Sequence, residues 1–114
     1  MNILEQADKL TAHDRNEDYG HPVHDFGRTA EMWSTLLNHK ITARQVGLCM
    51  IALKLSRQFN KPKKDNLIDI AGYARTIEMI DEYERDNPDF TNRVRVEDLG
   101  SLGQPYSDLP TTKI

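Results

Sequence analysis

The chain has 114 residues, enough for one compact domain with a hydrophobic core and too few for two. Its formal net charge of −3 argues against a broad basic face for sequence-specific binding of duplex nucleic acid. No stretch reaches the roughly 18 apolar residues of a membrane span, and the polar N-terminus predicts no secretory leader. Cys49 is the only cysteine and lies in an apolar run. This favours a buried thiol in an intracellular, cytoplasmic protein.

Two amphipathic helices are predicted in the first forty residues. The first covers residues 3–12, and the polar segment HDRNEDYGHP at 13–22 is expected to form a loop because it ends in Gly and Pro. The second helix begins near Pro22, which suits a first helical turn, and ends before NHKI at 38–41. The predicted apolar positions are Ile3, Leu4, Ala7 and Leu10 in the first helix, and Val23, Phe26, Ala30, Trp33 and Leu37 in the second.

Two longer apolar helices are predicted next. Thr42 and Gln45 match a capping box at the start of the third helix. Residues 46–53 are apolar on all sides, which predicts that this helix is the central and most buried one. The segment FNKPKK at 59–64 ends it, and a fourth helix is expected from about Lys64 to Arg85. The fourth helix is predicted to pack through Leu67, Ile70, Ala71, Ala74 and Ile77.

Four helices with short connections predict an all-α four-helix bundle for residues 1–87. After residue 87 the periodicity is lost and glycines and prolines become frequent. Residues 88–114 are therefore interpreted as an extended C-terminal tail or an oligomerisation arm. A helix that is apolar on all sides, together with such a tail, predicts self-association of the chain.

Polar side chains border the apolar positions on three successive helices. Asp65 and Asp69, in the segment KKDNLIDIAGYA, lie one helical turn apart on one face, and Tyr73 continues the row. Two like charges in line are unfavourable without a cation. Carboxylates on facing helices are a common way for a bundle to hold Mg²⁺, which prefers to share its ligands with a substrate phosphate. The predicted metal ligands are Glu31, Asp65 and Asp69.

Each of these residues also has a purely structural interpretation. Asp65 near a helix N-terminus favourably opposes the helix dipole. Lys54 and Arg57 fit a structural role, because long basic side chains commonly extend from the end of a buried helix. The basic segment KPKK at 61–64 likewise fits a solvated turn. Glu31 could instead form a structural ion pair with Arg28 or Arg57. Asp69 could form one with Lys54 or Arg57.

Three segments together resemble a family of small phage and prophage proteins. These are RNEDYGHPVHDFGRTAEMW, MIALKLSRQ and KKDNLIDIAGYA, and the resemblance covers about residues 13–80. That family more distantly resembles the MazG-like all-α nucleotide pyrophosphohydrolases, which hold Mg²⁺ with acids from two helices. Glu31 and Asp69 match acids of the two metal motifs. Arg28 and Ser34 flank Glu31 at three residues, so the first motif keeps one acid, and Asn66 stands three residues before Asp69, with Asp65 displaced by one position. These departures leave three carboxylates where the enzymes have four, which is compatible with one metal ion and argues against a two-metal site.

The resemblance implies a Mg²⁺-dependent hydrolase that cuts a nucleoside triphosphate, or a related nucleotide, to the monophosphate and pyrophosphate. One alternative is a phage protein in the host cytoplasm that sequesters a signalling nucleotide without cutting it, and a second is a structural helical oligomer. Trp33 is expected in the core, whereas Tyr19 is expected to stack on a base. The predicted catalytic residues are Glu31, Lys54 and Asp69, and the predicted nucleotide-binding residues are Arg15, Tyr19, His24, Arg28, Lys54, Arg57, Lys61, Lys64 and Tyr73.

Overall fold

A computed structural model describes residues 1–90 of the chain, except for the side chain of Arg15. This part is all-helical and contains no strand, which confirms the all-α prediction. The prediction of an extended tail falls mostly on residues 91–114, outside the described part. The helices are α1 Ile3–Lys9, α2 Arg15–Tyr19, α3 Pro22–Leu37, α4 Ala43–Asn60 and α5 Lys64–Asp86, with a π-helical segment Leu10–Asp14 between α1 and α2.

The N-terminal helical run is longer than the sequence indicated. Residues 13–19 are helical, so the loop predicted at 13–22 is wrong except for its last residues. The Thr11 hydroxyl donates to the carbonyl of Ala7 at 2.9 Å and contacts that of Asp8 at 3.3 Å, within the turn that widens into the π-helix. Gly20, with φ of 77°, then ends α2 in a conformation that side chains disfavour.

Caps fix the start of the next two helices. The ring Nδ1 of His21 accepts a hydrogen bond from the Val23 N–H at 3.0 Å, and Pro22 occupies the first turn of α3. The Thr42 hydroxyl accepts from the Gln45 N–H, and the Gln45 side chain accepts from the Thr42 N–H. This confirms the predicted capping box of α4.

Helices α4 and α5 form an antiparallel pair with a constant register. Arg44 forms an ion pair with Asp81, Gly47 lies against Ile77, Lys54 pairs with Asp69, and the Gln58 amide accepts from the Asn66 amide. Successive contacts therefore move toward the C-terminus of α4 and toward the N-terminus of α5. Helix α1 packs on α5, and α3 packs on both helices of the pair.

The core of the described chain is small. Val23, Ala43 and Ile80 form a cluster of buried residues, and Phe26, Tyr83 and Phe90 pack against them. Trp33, which was expected in the core, is half-buried.

The prediction that α4 is the most buried helix is wrong for the single chain. Its buried residues are Ala43, Val46 and Gly47, whereas Leu53 is 40% exposed and Cys49 is exposed. The physical reason is that α3 and α5 both cover the same side of α4, so its outer side has no neighbour in the described part. The predicted packing face of α5 is also displaced, because Leu67 and Ala74 are exposed and the buried positions are Asn66, Ile68, Gly72, Thr76 and Ile80.

None of the helices in residues 1–90 combines the length and the apolar character needed to cross a bilayer.

The cap at His21 predicts a pH dependence of stability. Burial lowers the pKa of His21, the charge of nearby His24 lowers it further, and Glu82 opposes the shift. Protonation of Nδ1 would remove the acceptor for the Val23 N–H. The unfolded chain therefore binds this proton more readily, and stability is lost as pH falls below about 6.5 toward the lowered folded-state pKa.

Urea unfolding at pH 7.5 and 5.5 measures this effect. His21→Asn keeps a side-chain acceptor that does not titrate, so the loss of stability on acidification should be smaller in the variant than in the parent. An equal loss in both proteins would show that the cap does not cause it.

Candidate functional site

A cleft between the N-terminal helical run and the first turns of α5 contains three carboxylates. Its volume is about 410 Å³, and the carboxylates belong to Asp14, Asp65 and Asp69. Asp65 and Asp69 lie one turn apart on α5, as the sequence predicted, and Asp14 ends the π-helical segment. We call this the acidic cleft, and its other lining residues are Met1, Gln6, Lys9, Leu10 and Ile68.

An ion pair fixes one of these acids. The Lys54 Nζ lies 2.8 Å from the Asp69 Oδ2, and the two side chains are only 16% and 22% exposed. The structural alternative for Asp69, an ion pair with Lys54, is thus present. If either side chain moved away, the charge of the other would be left unpaired in a poorly solvated environment. The ion pair therefore holds both groups in position.

A second cleft, of about 310 Å³, lies further along α5 and carries aromatic side chains. The rings of Phe26 and Tyr73 have their centroids 6.2 Å apart, and Tyr19 is 59% exposed at the cleft. We call this the aromatic cleft, and it is lined by Tyr19, Asp25, Phe26, Thr29, Val46, Met50 and Tyr73.

The two clefts are neighbours. Asp69 lines the first and Tyr73 the second, and one turn of α5, about 6 Å, separates them. The segment from Asp14 to Tyr19 likewise contributes its first residue to the acidic cleft and its last to the aromatic cleft. We refer to the acidic and aromatic clefts together as the α5 groove.

The short helix between the clefts holds a buried acceptor. The Asn16 Oδ1 has no hydrogen-bond partner among the described residues, and such an atom normally finds one in a protein group, a water or a ligand. The preceding π-helical segment is a rare conformation that occurs often at functional sites. Both features lie beside the α5 groove.

Basic residues gather on the other side of the first turn of α5. Arg57, Lys61 and Lys63 line a cleft of about 330 Å³ with Ser56, Asn60 and Asn66. Lys64 begins α5 and is exposed, and no side chain caps this helix N-terminus. The predicted nucleotide-binding residues Arg57, Lys61 and Lys64 are thus close in the chain to Asp65, but Arg57 and Lys61 border a different cleft.

The structure does not bring Glu31 to the other predicted metal ligands within one chain. Glu31 shares a cleft with Glu84, near the C-terminal end of α5. Nineteen residues of helix separate Glu84 from Asp65, which corresponds to about 28 Å. Glu31, Asp65 and Asp69 therefore do not form one site in a single chain, because Glu31 lies beside the end of α5 opposite the acidic cleft.

Two more predicted residues lie away from the groove, and one cannot be placed. The ring of His24 packs on Tyr83 and Phe90, with centroids 5.7 Å and 5.4 Å apart, near the end of α5. Arg28 is exposed on α3, one turn beyond His24. The Arg15 side chain lies outside the described part of the chain.

The donors of the acidic cleft fit Mg²⁺ in chemical type but not as a complete cage. Across the part of the chain that the structure describes, no three acidic, histidine or cysteine side chains lie close enough to hold a metal ion by themselves. Mg²⁺ commonly binds one or two carboxylates and completes its shell with water and phosphate oxygens. Asp65 and Asp69 would supply that smaller set.

Sequence reasoning missed several residues of the groove. Asp14 was assigned to a loop, and no periodic signal connected it to α5. Phe26 was interpreted only as core, although its ring lies beside Tyr73 in the aromatic cleft. Asp25 and Thr29 had no motif of their own, so only the packing of α3 against α4 and α5 identifies them as lining residues.

No solved structure matches the chain. The resemblance to MazG-like enzymes therefore stays a prediction.

Comparison with known sequences shows relatives from phages. The chain is 37% identical over 81 residues to the Gene 55 protein of Mycobacterium phage D29, covering 70% of this chain and 54% of that protein. It is 34% identical over 80 residues to the Gene 55 protein of Mycobacterium phage L5, covering 68% and 51%. The chain thus spans about half the length of these curated relatives. A family model described as a domain of unknown function, DUF6378, matches residues 2–81. The chain belongs to the DUF6378 family.

Proposed function

We propose that the chain binds a nucleotide in the α5 groove, with the phosphates at the acidic cleft and the base at the aromatic cleft. The observation that carries this proposal is the adjacency of the two clefts, since Asp69 and Tyr73 are one helical turn apart. From Asp65 to Tyr73 the helix rises about 12 Å, which is comparable to the length of a nucleoside polyphosphate.

Carboxylates bind phosphate groups only through a cation. Bound Mg²⁺ would neutralise charge between the phosphates and the aspartates, and it would lower the pKa of a coordinated water. Asp65, exposed at the start of α5, would contribute one oxygen ligand, and Asp69, held by Lys54, a second. Lys9 lines the same cleft and would meet the phosphate charge directly.

The aromatic cleft suits a nucleobase. The exposed ring of Tyr19 and the ring of Tyr73 offer stacking surfaces, and stacking on an aromatic side chain contributes about 1–3 kcal/mol per base. Asp25 in the same cleft can accept hydrogen bonds from an exocyclic amino group. The buried Asn16 Oδ1 between the clefts would gain a donor from a bound sugar hydroxyl or a water.

A second candidate is hydrolysis of the bound nucleotide to the monophosphate and pyrophosphate. The carboxylates of Asp14, Asp65 and Asp69 in one cleft favour it, because a metal-activated water needs nearby acceptors for its proton. In this reaction the oxygen of water bonds to the α-phosphorus and pyrophosphate departs. The absence of a complete metal cage in the described residues favours binding over cleavage.

A panel of nucleoside mono-, di- and triphosphates and cyclic nucleotides tests the proposal. Each nucleotide is incubated with the protein with and without Mg²⁺, and chromatography measures how much is retained and which products form. Retention without products is the expected result, and formation of monophosphate and pyrophosphate would establish the second candidate. If the protein neither retains nor converts any nucleotide, the nucleotide proposal is wrong and the structural interpretation of these residues holds.

Tyr19→Ala refines the assignment of the base. The variant should weaken binding of nucleotides by about 5- to 150-fold while leaving binding of inorganic triphosphate unchanged, because only the stacking surface is lost. Leu36→Ala, at an equally exposed position on α3 away from the groove, is the control. Equal weakening of nucleotide and inorganic triphosphate would place the base elsewhere.

A further inference from the structure

The outer side of α4 carries an apolar row that no part of residues 1–90 covers. Leu48 and Leu55 are 53% and 48% exposed, Phe59 is 91% exposed, and Ala52 is also exposed. Their spacing of four, three and four residues is that of the contact positions of a coiled coil. We call these four residues the outer row.

The apolar surface continues onto α5. Leu67 is 41% exposed, and Ala74 lies seven residues later on the same face. The Arg44–Asp81 ion pair lies at the outer edge between the helices, on the side of Leu55 and Ala74. Four of the side chains that sequence periodicity assigned to the core thus lie on one external surface together with Leu55 and Phe59, and they are Leu48, Ala52, Leu67 and Ala74.

From these observations we propose that the outer row is the contact surface of an antiparallel homodimer, in which α4 packs against α4 of a second copy. This proposal is independent of nucleotide binding, because the outer row faces away from α3, which lines the aromatic cleft. It also specifies which surface would produce the self-association that the sequence predicted.

Charge distribution argues for a second copy in this orientation. Residues 57–65 carry four cationic side chains and one carboxylate, whereas residues 78–86 carry five carboxylates and one cation. The antiparallel α4–α5 pair therefore has a basic end and an acidic end. A two-fold axis perpendicular to α4 brings the basic end of each copy to the acidic end of the other. A parallel arrangement would place the two basic ends together.

Side-chain sizes favour the same orientation. In an antiparallel pair centred on the outer row, Ala52 faces Leu55 of the second copy and Leu48 faces its Phe59. Each facing pair of residues then combines a smaller with a larger side chain, so the space between the two helices is filled evenly. In a parallel pair, Ala52 would face Ala52 and leave a gap, while Phe59 would face Phe59 two layers further along the helix.

The available area is adequate for a dimer. Two adjacent helices about 27 Å long and about 20 Å wide offer a projected area on the order of 500 Å². Side-chain relief increases this toward the roughly 600 Å² per partner at the lower end of stable interfaces. The outer row itself is free of charge, so its burial carries no penalty for desolvating ions.

Sedimentation velocity of the full chain, from about 1 to 100 µM, tests the proposal. We expect a dimer, and we expect Leu55→Glu to raise its dissociation constant about 100-fold or more, because each copy then places a charge in the contact. Leu36→Glu is the matched control, since Leu36 is 57% exposed on α3 and should leave the dimer intact. A monomer at all concentrations, or a dimer that Leu55→Glu does not weaken, would overturn the proposal.

Disulfide crosslinking tests the orientation without depending on how Leu55→Glu folds. In a Cys49→Ser background, a mixture of Leu48→Cys and Phe59→Cys chains should form a mixed disulfide dimer, while neither variant alone should crosslink. The axial offset between equivalent Leu48 positions is about 16 Å in the antiparallel pair, beyond the reach of a disulfide. Crosslinking of Leu48→Cys alone would establish a parallel pair and overturn the proposal.

Discussion

Gly47→Ala should lower the free energy of unfolding by up to about 2 kcal/mol, which is an overpacking cost of about 1–3 kcal/mol less the gain in helix propensity. A Cβ atom at residue 47 would lie 2.6 Å from the Cγ1 of Ile77, a distance at which something must move, and a tight 3.0 Å from its Cδ1. The displaced atoms belong to a branched side chain between two packed helices, so α4 and α5 must separate or Ile77 must change rotamer. The gain in helix propensity, about 1 kcal/mol, offsets only part of this cost.

Gly72→Ala is the matched control for this prediction. Its Cβ would meet the Cγ2 of Thr11 at 3.6 Å, an ordinary van der Waals contact, so the same substitution should stabilise the chain by about 0.5–1 kcal/mol. Urea unfolding of both variants against the parent gives the two changes. If Gly47→Ala is as stable as Gly72→Ala, the close contact between α4 and α5 is not as described.

Asp69→Asn should lower stability by about 1–3 kcal/mol. Breaking an exposed ion pair has a small effect on stability, and breaking a fully buried one costs about 3–5 kcal/mol. The predicted loss lies between these values because the side chains of Lys54 and Asp69 are only partly exposed. From the sequence alone, Asp69→Asn would be expected to stabilise the metal-free chain, because it removes one of two like charges stacked on one helix face. The Lys54 ammonium changes this expectation, because it would lose its partner in a poorly solvated position.

A double-mutant cycle with Lys54→Met isolates the pair. Lys54→Met keeps the apolar stem of the side chain and removes the charge, and Asp69→Asn in that background should cost much less than in the parent. Equal costs in the two backgrounds would mean that the Lys54–Asp69 pair contributes nothing to stability.

Local signals in the sequence predicted most of the helices. The Thr42–Gln45 capping box and Pro22 at the start of α3 depend on neighbouring residues, and both are confirmed. Residues 13–19 were misassigned because polar composition indicates solvent exposure and does not by itself exclude a helix. The glycine that ends α2 at residue 20 was a better boundary signal than the polarity before it.

The burial of each helix face was harder to predict than the positions of the helices. Periodicity identifies an apolar face but not whether another element covers it, so the outer side of α4 was assigned to the core. The site shows the same limitation. Asp65, Asp69 and Tyr73 share one helix, so their row along α5 follows from spacing alone, whereas the positions of Glu31 and Asp14 depend on which end of α5 each helix meets.

The most direct test of the proposed groove is calorimetric titration of three variants, in Mg²⁺, with the nucleotide that the parent retains best. Asp65→Asn should weaken binding about 10- to 100-fold, since one charge-assisted contact through the metal is lost. Asp86→Asn, an exposed acid at the far end of α5, is the control. Glu31 shares a cleft with Glu84, which lies about 28 Å from Asp65 along α5, so Glu31→Gln should bind like the parent. Parent-like binding by Asp65→Asn, or a loss in Glu31→Gln equal to that in Asp65→Asn, would contradict the groove.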